Sequence, residues 1–475
     1  VLFHTLDYVI FLALTVLLYW GLPRGWRVGL LGVASLAFYA SWSLIYLPVM
    51  LMVVGVAWLG GRWLGTWRRF TGHGWRRAAV MGLLLLPLIF FKYWDWIAEN
   101  IEMVGALAKQ TWALPRVAMP LPVGISFFSF QAIAYLIDVA RAAEQGRDGS
   151  EPSLWRFTTF QTFFPQLVAG PIVRGHELLP QILRPPALHQ HQIGAGVLRI
   201  CRGMAKKLLI ADPLRLGMID PIFNDPAAFT GVERWVALYA YTLQIYADFS
   251  GYTDIAIGSA RLFGIELPEN FRRPYLATSV SEFWRRWHIT LSDWIRDYLY
   301  FPLGGSQGGE LQTYRNLMIT LVIIGVWHGA SWNFVLYGLL HGGVMVLERW
   351  RRKRAEQSGA PRPKAWGLAW RWALTFHFVV LARILFRTDD LASAADFAEG
   401  LGAVELLLPR FSPTVWAIFA LGWLVHFSPE VWPARAEAWA QRQSTWLWVG
   451  VAAVTGALAM VMSSGEQLAF VYYQF

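Results

Sequence analysis

Leu317-Met318-Ile319-Thr320-Leu321-Val322-Ile323-Ile324-Gly325-Val326 runs without a charge into Trp327-His328-Gly329-Ala330-Ser331-Trp332-Asn333-Phe334, and the apolar character lasts to Leu347. This stretch decides the fold class, because about 20 predominantly apolar residues suffice to cross the ~30 Å hydrocarbon core of a bilayer. The pattern recurs at Tyr8–Leu22, Ala78–Phe91, Val236–Ile245 and Trp446–Met462. Of 475 residues, 56% are hydrophobic and only 15% are charged, too few to clothe a soluble protein of this length. The expected fold is therefore an all-α polytopic membrane protein, with roughly eleven transmembrane helices and several Gly- or Pro-broken segments.

The net charge of +10 does not point to nucleic acid, because of where the basic residues lie. They gather in short loops between apolar blocks, at Arg24 and Arg27, from Arg62 to Arg77, and from Arg349 to Arg371. That is the positive-inside pattern, and it places the N-terminus outside the cytoplasm. The acidic loop Asp389–Glu405 falls outside by the same parity. The expected location is a bacterial inner membrane with a periplasmic N-terminus. The first apolar block lacks a basic n-region and a cleavage site, so it reads as a retained helix. Cys201 stands alone, which excludes an internal disulfide or a Cys-based metal site. His189 and His191 share a polar loop with no acid or Cys at ligand spacing, so no metal is expected.

The polar stretches are too short to bury a core of their own, and no repeat is visible, so residues 1–475 read as one membrane-embedded domain. The part up to Lys109 reads as plain helices with Trp and Tyr belts. Between about 120 and 345, ionisable residues are interleaved with apolar ones, where each is expensive and therefore suspect as functional. The part from Trp366 onward returns to ordinary spans.

His328 lies eleven residues beyond Leu317, or about 17 Å along a continuous helix. An imidazole at such depth needs a partner or a water-filled cavity. Its ordinary pKa suits a general base at neutral pH. A packing histidine is the alternative, and the flanking Trp327, Gly329 and Asn333 favour function; Ser331, three residues on, is not set in a nucleophile elbow. A second constellation spans Ser281 to Arg296. Read as a helix, it aligns Ser281, Arg285, His288, Ser292 and Arg296 on one polar stripe against Phe283, Trp287, Leu291 and Trp294. The stripe is either a cavity wall, with His288 assisting and Arg285 or Arg286 meeting an anionic donor, or a solvated face at the membrane surface. A third is Tyr246-Ala247-Asp248-Phe249-Ser250-Gly251-Tyr252-Thr253-Asp254. Asp248 and Asp254 are six residues apart, about 120° around a helix, so they are not a facing acid pair. Pairing with Arg261, Arg272 or Arg273 is the preferred reading over an ion pathway. Phe163–Pro171 and Leu299–Gly305 read either as broken helices lining a cavity or as interfacial loops. His341, about 220° around the same helix from His328, points elsewhere. No HExxH, P-loop or GxSxG pattern occurs.

These segments resemble the membrane-bound O-acyltransferase family, in the branch of alginate O-acetylation membrane proteins. The residues that carry the likeness are Phe249-Ser250-Gly251-Tyr252-Thr253-Asp254, Leu267-Pro268-Glu269-Asn270-Phe271, Glu282-Phe283-Trp284-Arg285-Arg286-Trp287-His288 and Trp327-His328-Gly329-Ala330-Ser331-Trp332-Asn333. Pro122–Phe128, Phe164–Val173, Arg296–Gly305 and the terminal Tyr473-Gln474-Phe475 add to it. The resemblance implies helices ringed around a central tunnel, with His328 as the catalytic histidine and His288 as the second active-site position. It further implies a cytoplasmic acyl thioester donor, commonly acetyl-CoA, with no bound cofactor. The acyl group would pass to a hydroxyl of an extracytoplasmic polysaccharide, directly or through a periplasmic or membrane-anchored acetyltransferase partner. His288 or Asn333 would steady the developing oxyanion. Acylation of a protein or lipid, a secondary transporter using Asp248 and Asp254, and a scaffold in a polymer complex are the competing readings.

Overall fold

A computed structural model describes residues 3–65, 74–145, 152–184, 187, 190–359, 364–403 and 410–462. His189, the middle of the basic loop between 62 and 77, and Tyr473–Phe475 lie outside the described residues. Among the described residues the protein is all-helical, with no strand beyond one isolated antiparallel bridge between Phe271 and Trp287.

Four described segments are long and apolar enough to cross a bilayer: Leu44–Leu64, Arg77–Leu107, Ile125–Glu144 and Ala365–Arg387. Pro413–Phe427 and Val431–Ala440 make a fifth if their 87° bend interrupts a single span. Length and composition therefore mark at least four spans among the described residues. The sequence explains why other candidates fall short. Gly231–Arg261 carries Glu233, Arg234, Asp248 and Asp254 along its length, and Leu6–Gly21 has only 16 residues.

The chain divides into two compact units. The first comprises the described residues within 1–200, 255–268 and 439–462. Its Leu6–Gly21 helix buries Tyr8, Leu12, Thr15 and Tyr19, one stripe at helical spacing, and turns Leu14, Leu17 and Leu18 outward. The buried stripe is anchored by polar tips: Tyr8 donates to Ser259 Oγ at 2.8 Å, and Trp20 Nε1 donates to the Leu262 carbonyl at 2.8 Å. The turn-rich segment at Phe163–Pro171 belongs to this core. Phe160, Phe163 and Phe164 are wholly buried, and the short helices Leu154–Thr162 and Phe164–Leu167 break at Phe163. The glutamines beside that break satisfy backbone groups, with Gln161 Nε2 on Phe128 O (2.6 Å) and Gln131 Nε2 on Phe160 O (3.2 Å). The segment is thus buried broken helix and not an interfacial loop. Leu299–Gly305 behaves differently. It begins inside a π-helical turn, Arg296–Tyr300, and leaves Phe301 exposed, while Asn316 Nδ2 holds the Leu303 and Gly305 carbonyls at 3.0 Å each.

The second unit comprises the described residues within 201–254 and 269–438. At its centre is a hairpin of Glu310–His328 and Trp332–Gln357. The long apolar stretch is therefore two helices, not one, and His328 is the last residue of the first. Small residues let the pair close: a Cβ on Gly338 would lie 2.6 Å from the Leu321 carbonyl oxygen. Glu310 closes the far end of the hairpin on Lys353 and Arg349. Glu348 receives the backbone N–H groups of Val280 (2.6 Å) and Ser281 (3.1 Å), so a carboxylate seats the start of the Val280–Trp284 helix. Beyond the spans, Asp390 caps Leu391–Gly400. The Ser393 backbone N–H at 2.7 Å holds its carboxyl below the usual carboxylate range.

Candidate active site

The turn between the hairpin helices sets one edge of the site. Gly329 and Ser331 are extended, and a Cβ on Gly329 would fall 2.0 Å from the Phe334 ring. Only glycine lets Phe334 close over this turn and stack edge-on to Phe386 at 5.0 Å. Phe386 in turn lies 5.0 Å from the His328 ring. Gly329→Ala is therefore expected to destabilise the protein by about 1–3 kcal/mol through overpacking and to lower activity, both read on detergent-purified protein. Gly343→Ala, where a Cβ meets nothing within 4 Å, is the neutral control.

His328 is buried, 2% exposed, and ringed by Trp327 (5.0 Å), Phe386 (5.0 Å) and Tyr337 (6.5 Å). The Trp327 ring also lies 5.9 Å from His288, so one indole neighbours both histidines expected to form the site. His288 is completely buried, with Phe249 edge-on at 4.8 Å.

His288 does not sit on the continuous helix expected from Ser281 to Arg296. The chain forms Val280–Trp284, breaks, and resumes as Ile289–Ile295, with His288 left-handed at φ 46°, ψ 55°. Such a backbone strains a residue with a Cβ by about 1–3 kcal/mol and persists only where the surroundings impose it. They do so here through a short antiparallel pairing: Arg272 N donates to Arg286 O (2.9 Å) and Ile289 N to Asn270 O (3.0 Å). The polar stripe therefore does not exist as a single face. Arg285 is exposed, Arg286 pairs with Glu282 at 2.7 Å, and Arg296 pairs with Asp293 and Asp297. Ser292 is half-buried one turn beyond His288, whose carbonyl accepts the Ser292 N–H at 3.0 Å.

Ser331 stands at the start of Trp332–Gln357 without capping it through its side chain. Asn333 directs its amide nitrogen at Thr388, to the carbonyl at 2.8 Å and to Oγ1 at 3.3 Å. Its donor is thus engaged in holding the end of Ile384–Arg387, not turned to an oxyanion. Asp248 and Asp254 are both paired with cations earlier in the chain than the expected Arg261, Arg272 and Arg273. Asp254 takes Arg202 in a two-pronged contact (2.6 and 2.9 Å) and Lys206 at 2.8 Å; Lys207 bridges Asp248 (2.9 Å) and Asp212 (2.8 Å). Arg261 pairs with Glu266 instead. The successive lysines start a π-helical turn, Lys206–Ala211. Two carboxylates 120° apart are thereby met by two adjacent cations. Such an arrangement of paired charges favours a structural clamp over an open ion path.

Three further residues stand near the histidines. His341 is buried; its Nδ1 accepts from Trp284 Nε1 at 3.2 Å, and Tyr337 stacks against it at 4.3 Å. The helix break cancels the 220° argument: Tyr337 contacts both His328 and His341. Arg383 is buried with its guanidinium 4.4 Å over the Trp287 ring. A lone cation inside Leu381-Ala382-Arg383-Ile384-Leu385-Phe386 was the signal that could have found it. Asn270 contacts His288 directly, Oδ1 to Nδ1 at 3.2 Å. Among the described residues, no group of three or more His, Cys, Asp and Glu side chains could hold a metal ion.

The chain carries these features within a stretch that matches a family model. The model is that of the membrane-bound O-acyltransferase family, and it matches residues 78–387. The probable alginate O-acetylase AlgI of Pseudomonas aeruginosa is 36% identical over 403 residues, 82% of this chain and 73% of the relative. The peptidoglycan O-acetyltransferase of Helicobacter pylori is 35% identical over 404 residues, 80% of this chain and 73% of the relative. The teichoic acid D-alanyltransferase of Streptococcus thermophilus is 25% identical over 380 residues, 74% of this chain and 82% of the relative. Taken with the all-helical fold and its apolar spans, these matches mean that the chain belongs to the membrane-bound O-acyltransferase family and is a multi-pass membrane acyltransferase.

Proposed function

We propose that the protein transfers an acyl group, with acetyl as the first candidate, from a cytoplasmic thioester such as acetyl-CoA to a hydroxyl of an extracytoplasmic polysaccharide. The transfer is direct or relayed through a periplasmic or membrane-anchored acetyltransferase, at a bacterial inner membrane. The observation that carries this reading is the pair of buried histidines that share the Trp327 ring as a neighbour. The acetyl group and the polysaccharide rest on the relatives at about 36% identity, whose names specify alginate or peptidoglycan O-acetylation. The relatives named for D-alanyl transfer are more distant, at 25% and 24%.

In this reading His328 removes the proton from the acceptor hydroxyl as its oxygen attacks the thioester carbonyl. A C–O bond forms, the C–S bond breaks, and the proton held on His328 passes to the departing thiolate. The products are an ester and a free thiol. The Trp327, Phe386 and Tyr337 rings surround the imidazole with apolar surface, which keeps water from competing with the hydroxyl.

The test is transfer from radiolabelled acetyl-CoA by purified protein in lipid nanodiscs, with polysaccharide, peptide and lipid acceptors offered in parallel, with and without periplasmic extract. Alkali-labile label on the polysaccharide is the expected result. Label confined to lipid or peptide would overturn the acceptor, and thioester consumption without any ester would overturn the reaction.

A further inference from the structure

We propose that Asn270 is a positioning residue that fixes the tautomer of His288, putting the ring proton on Nδ1 and leaving Nε2 as the lone-pair nitrogen. The inference rests on reading His288 as part of the acyl-transfer site.

The argument begins with the Asn270 side chain, whose two ends are distinguished by a backbone group. Asn270 is fully buried, and its Oδ1 lies 3.2 Å from the Thr290 backbone nitrogen and 2.9 Å from Thr290 Oγ1. A backbone N–H can only donate, so the atom facing it must be the carbonyl oxygen. Turning the amide over would set an NH2 group against that N–H. Neither main chain can shift to accommodate it, because Asn270 O also accepts from Ile289 N and the Phe271–Trp287 bridge pins the next residue.

The same Oδ1 lies 3.2 Å from His288 Nδ1. An amide oxygen has no proton to give, so the imidazole donates, and in the neutral ring the remaining nitrogen, Nε2, is the acceptor. The left-handed backbone of His288 is what places residues 288 to 290 around a single oxygen. His341 supplies the contrast. Its Nδ1 accepts from the Trp284 indole N–H at 3.2 Å, so its proton sits on Nε2. Two buried histidines of one unit are thus held in opposite tautomers by neighbours of opposite hydrogen-bonding character.

The consequence changes the role expected of His288. A neutral ring protonated at Nδ1 cannot donate from Nε2 to a developing oxyanion; it accepts a hydrogen bond there. His288 therefore accepts a hydrogen bond at Nε2 from a substrate donor other than the proton that His328 removes. Asn270 retains a buried Nδ2 that makes no hydrogen bond among the described residues, a donor available to a substrate oxygen.

The test is solid-state nitrogen NMR of histidine-labelled protein in lipid, with His288 assigned by subtracting the His288→Gln spectrum. The proposal expects a protonated Nδ1 and a bare Nε2 in wild type, the same pattern in Asn270→Asp, and a mixed or reversed pattern in Asn270→Leu. Transfer by Asn270→Leu should fall roughly 10–100-fold in kcat with the donor KM unchanged, while Asn270→Asp retains more activity. A protonated Nε2 in wild type overturns the proposal, as does loss of the Nδ1 proton in Asn270→Asp; both readings stand even if Asn270→Leu does not accumulate. An unchanged pattern in folded Asn270→Leu overturns it as well. Wild-type protein with the expected tautomer but no acyl transfer would refute the function while upholding the assignment.

Discussion

His328→Gln should abolish acyl transfer while leaving the protein in the membrane at normal abundance. The expected loss is roughly 10²–10⁴-fold, the contribution of a positioned general base. Glutamine is the informative substitution because His328 fills space among Trp327, Tyr337 and Phe386. Alanine would leave a cavity and mix a packing loss into the readout. Glutamine preserves bulk and hydrogen-bonding capacity but does not take up a proton at neutral pH. The measurement is ester formed on cell-surface polysaccharide in cells expressing each variant, with membrane abundance determined by immunoblot. Ester at the wild-type level with His328→Gln would make His328 a packing residue and return the transporter and scaffold readings to contention. His341→Gln is the useful companion. That ring is equally buried but bonded to Trp284, so its loss should lower stability more than it lowers the rate of transfer.

The membrane class was legible from the apolar blocks because bilayer thickness imposes a length on them whatever the tertiary structure. The histidines were legible because an ionisable side chain in such a block is rare enough to demand a reason. What composition could not reveal was where helices stop. Gly329 ends a helix through an encounter with Phe334, five residues on and on the next helix, and no local propensity encodes that contact. His288 was placed on an unbroken stripe because the break is imposed by Asn270, eighteen residues away in sequence. The same limit applied to charge partners. Asp254 was matched with arginines near it in sequence, yet its cations come from Arg202 and Lys206, 52 and 48 residues away. Helical periodicity speaks only for neighbours within a few turns, and this site is assembled from contacts beyond that range.

The largest stability effect is expected at Lys207. Its ammonium is buried between Asp248, itself 1% exposed, and Asp212. Removing one partner of a buried ion pair leaves an uncompensated charge and typically destabilises by about 3–5 kcal/mol, whereas removing every charge of the set together is often neutral. Lys207→Met should therefore lower the unfolding temperature in detergent by several degrees and reduce accumulation in the membrane. Combining it with Asp248→Asn and Asp212→Asn should restore most of the loss, because no stranded carboxylate remains. The triple variant is the decisive one. A clamp requires that neutralising all three groups be far milder than neutralising the lysine alone. If the same residues formed a proton or ion pathway, Lys207→Met would leave the unfolding temperature near wild type and remove activity instead. Lys206→Met gives a graded comparison: Asp254 keeps its two-pronged Arg202 partner, so the carboxylate is not stranded and the fall in stability should be clearly smaller than for Lys207→Met.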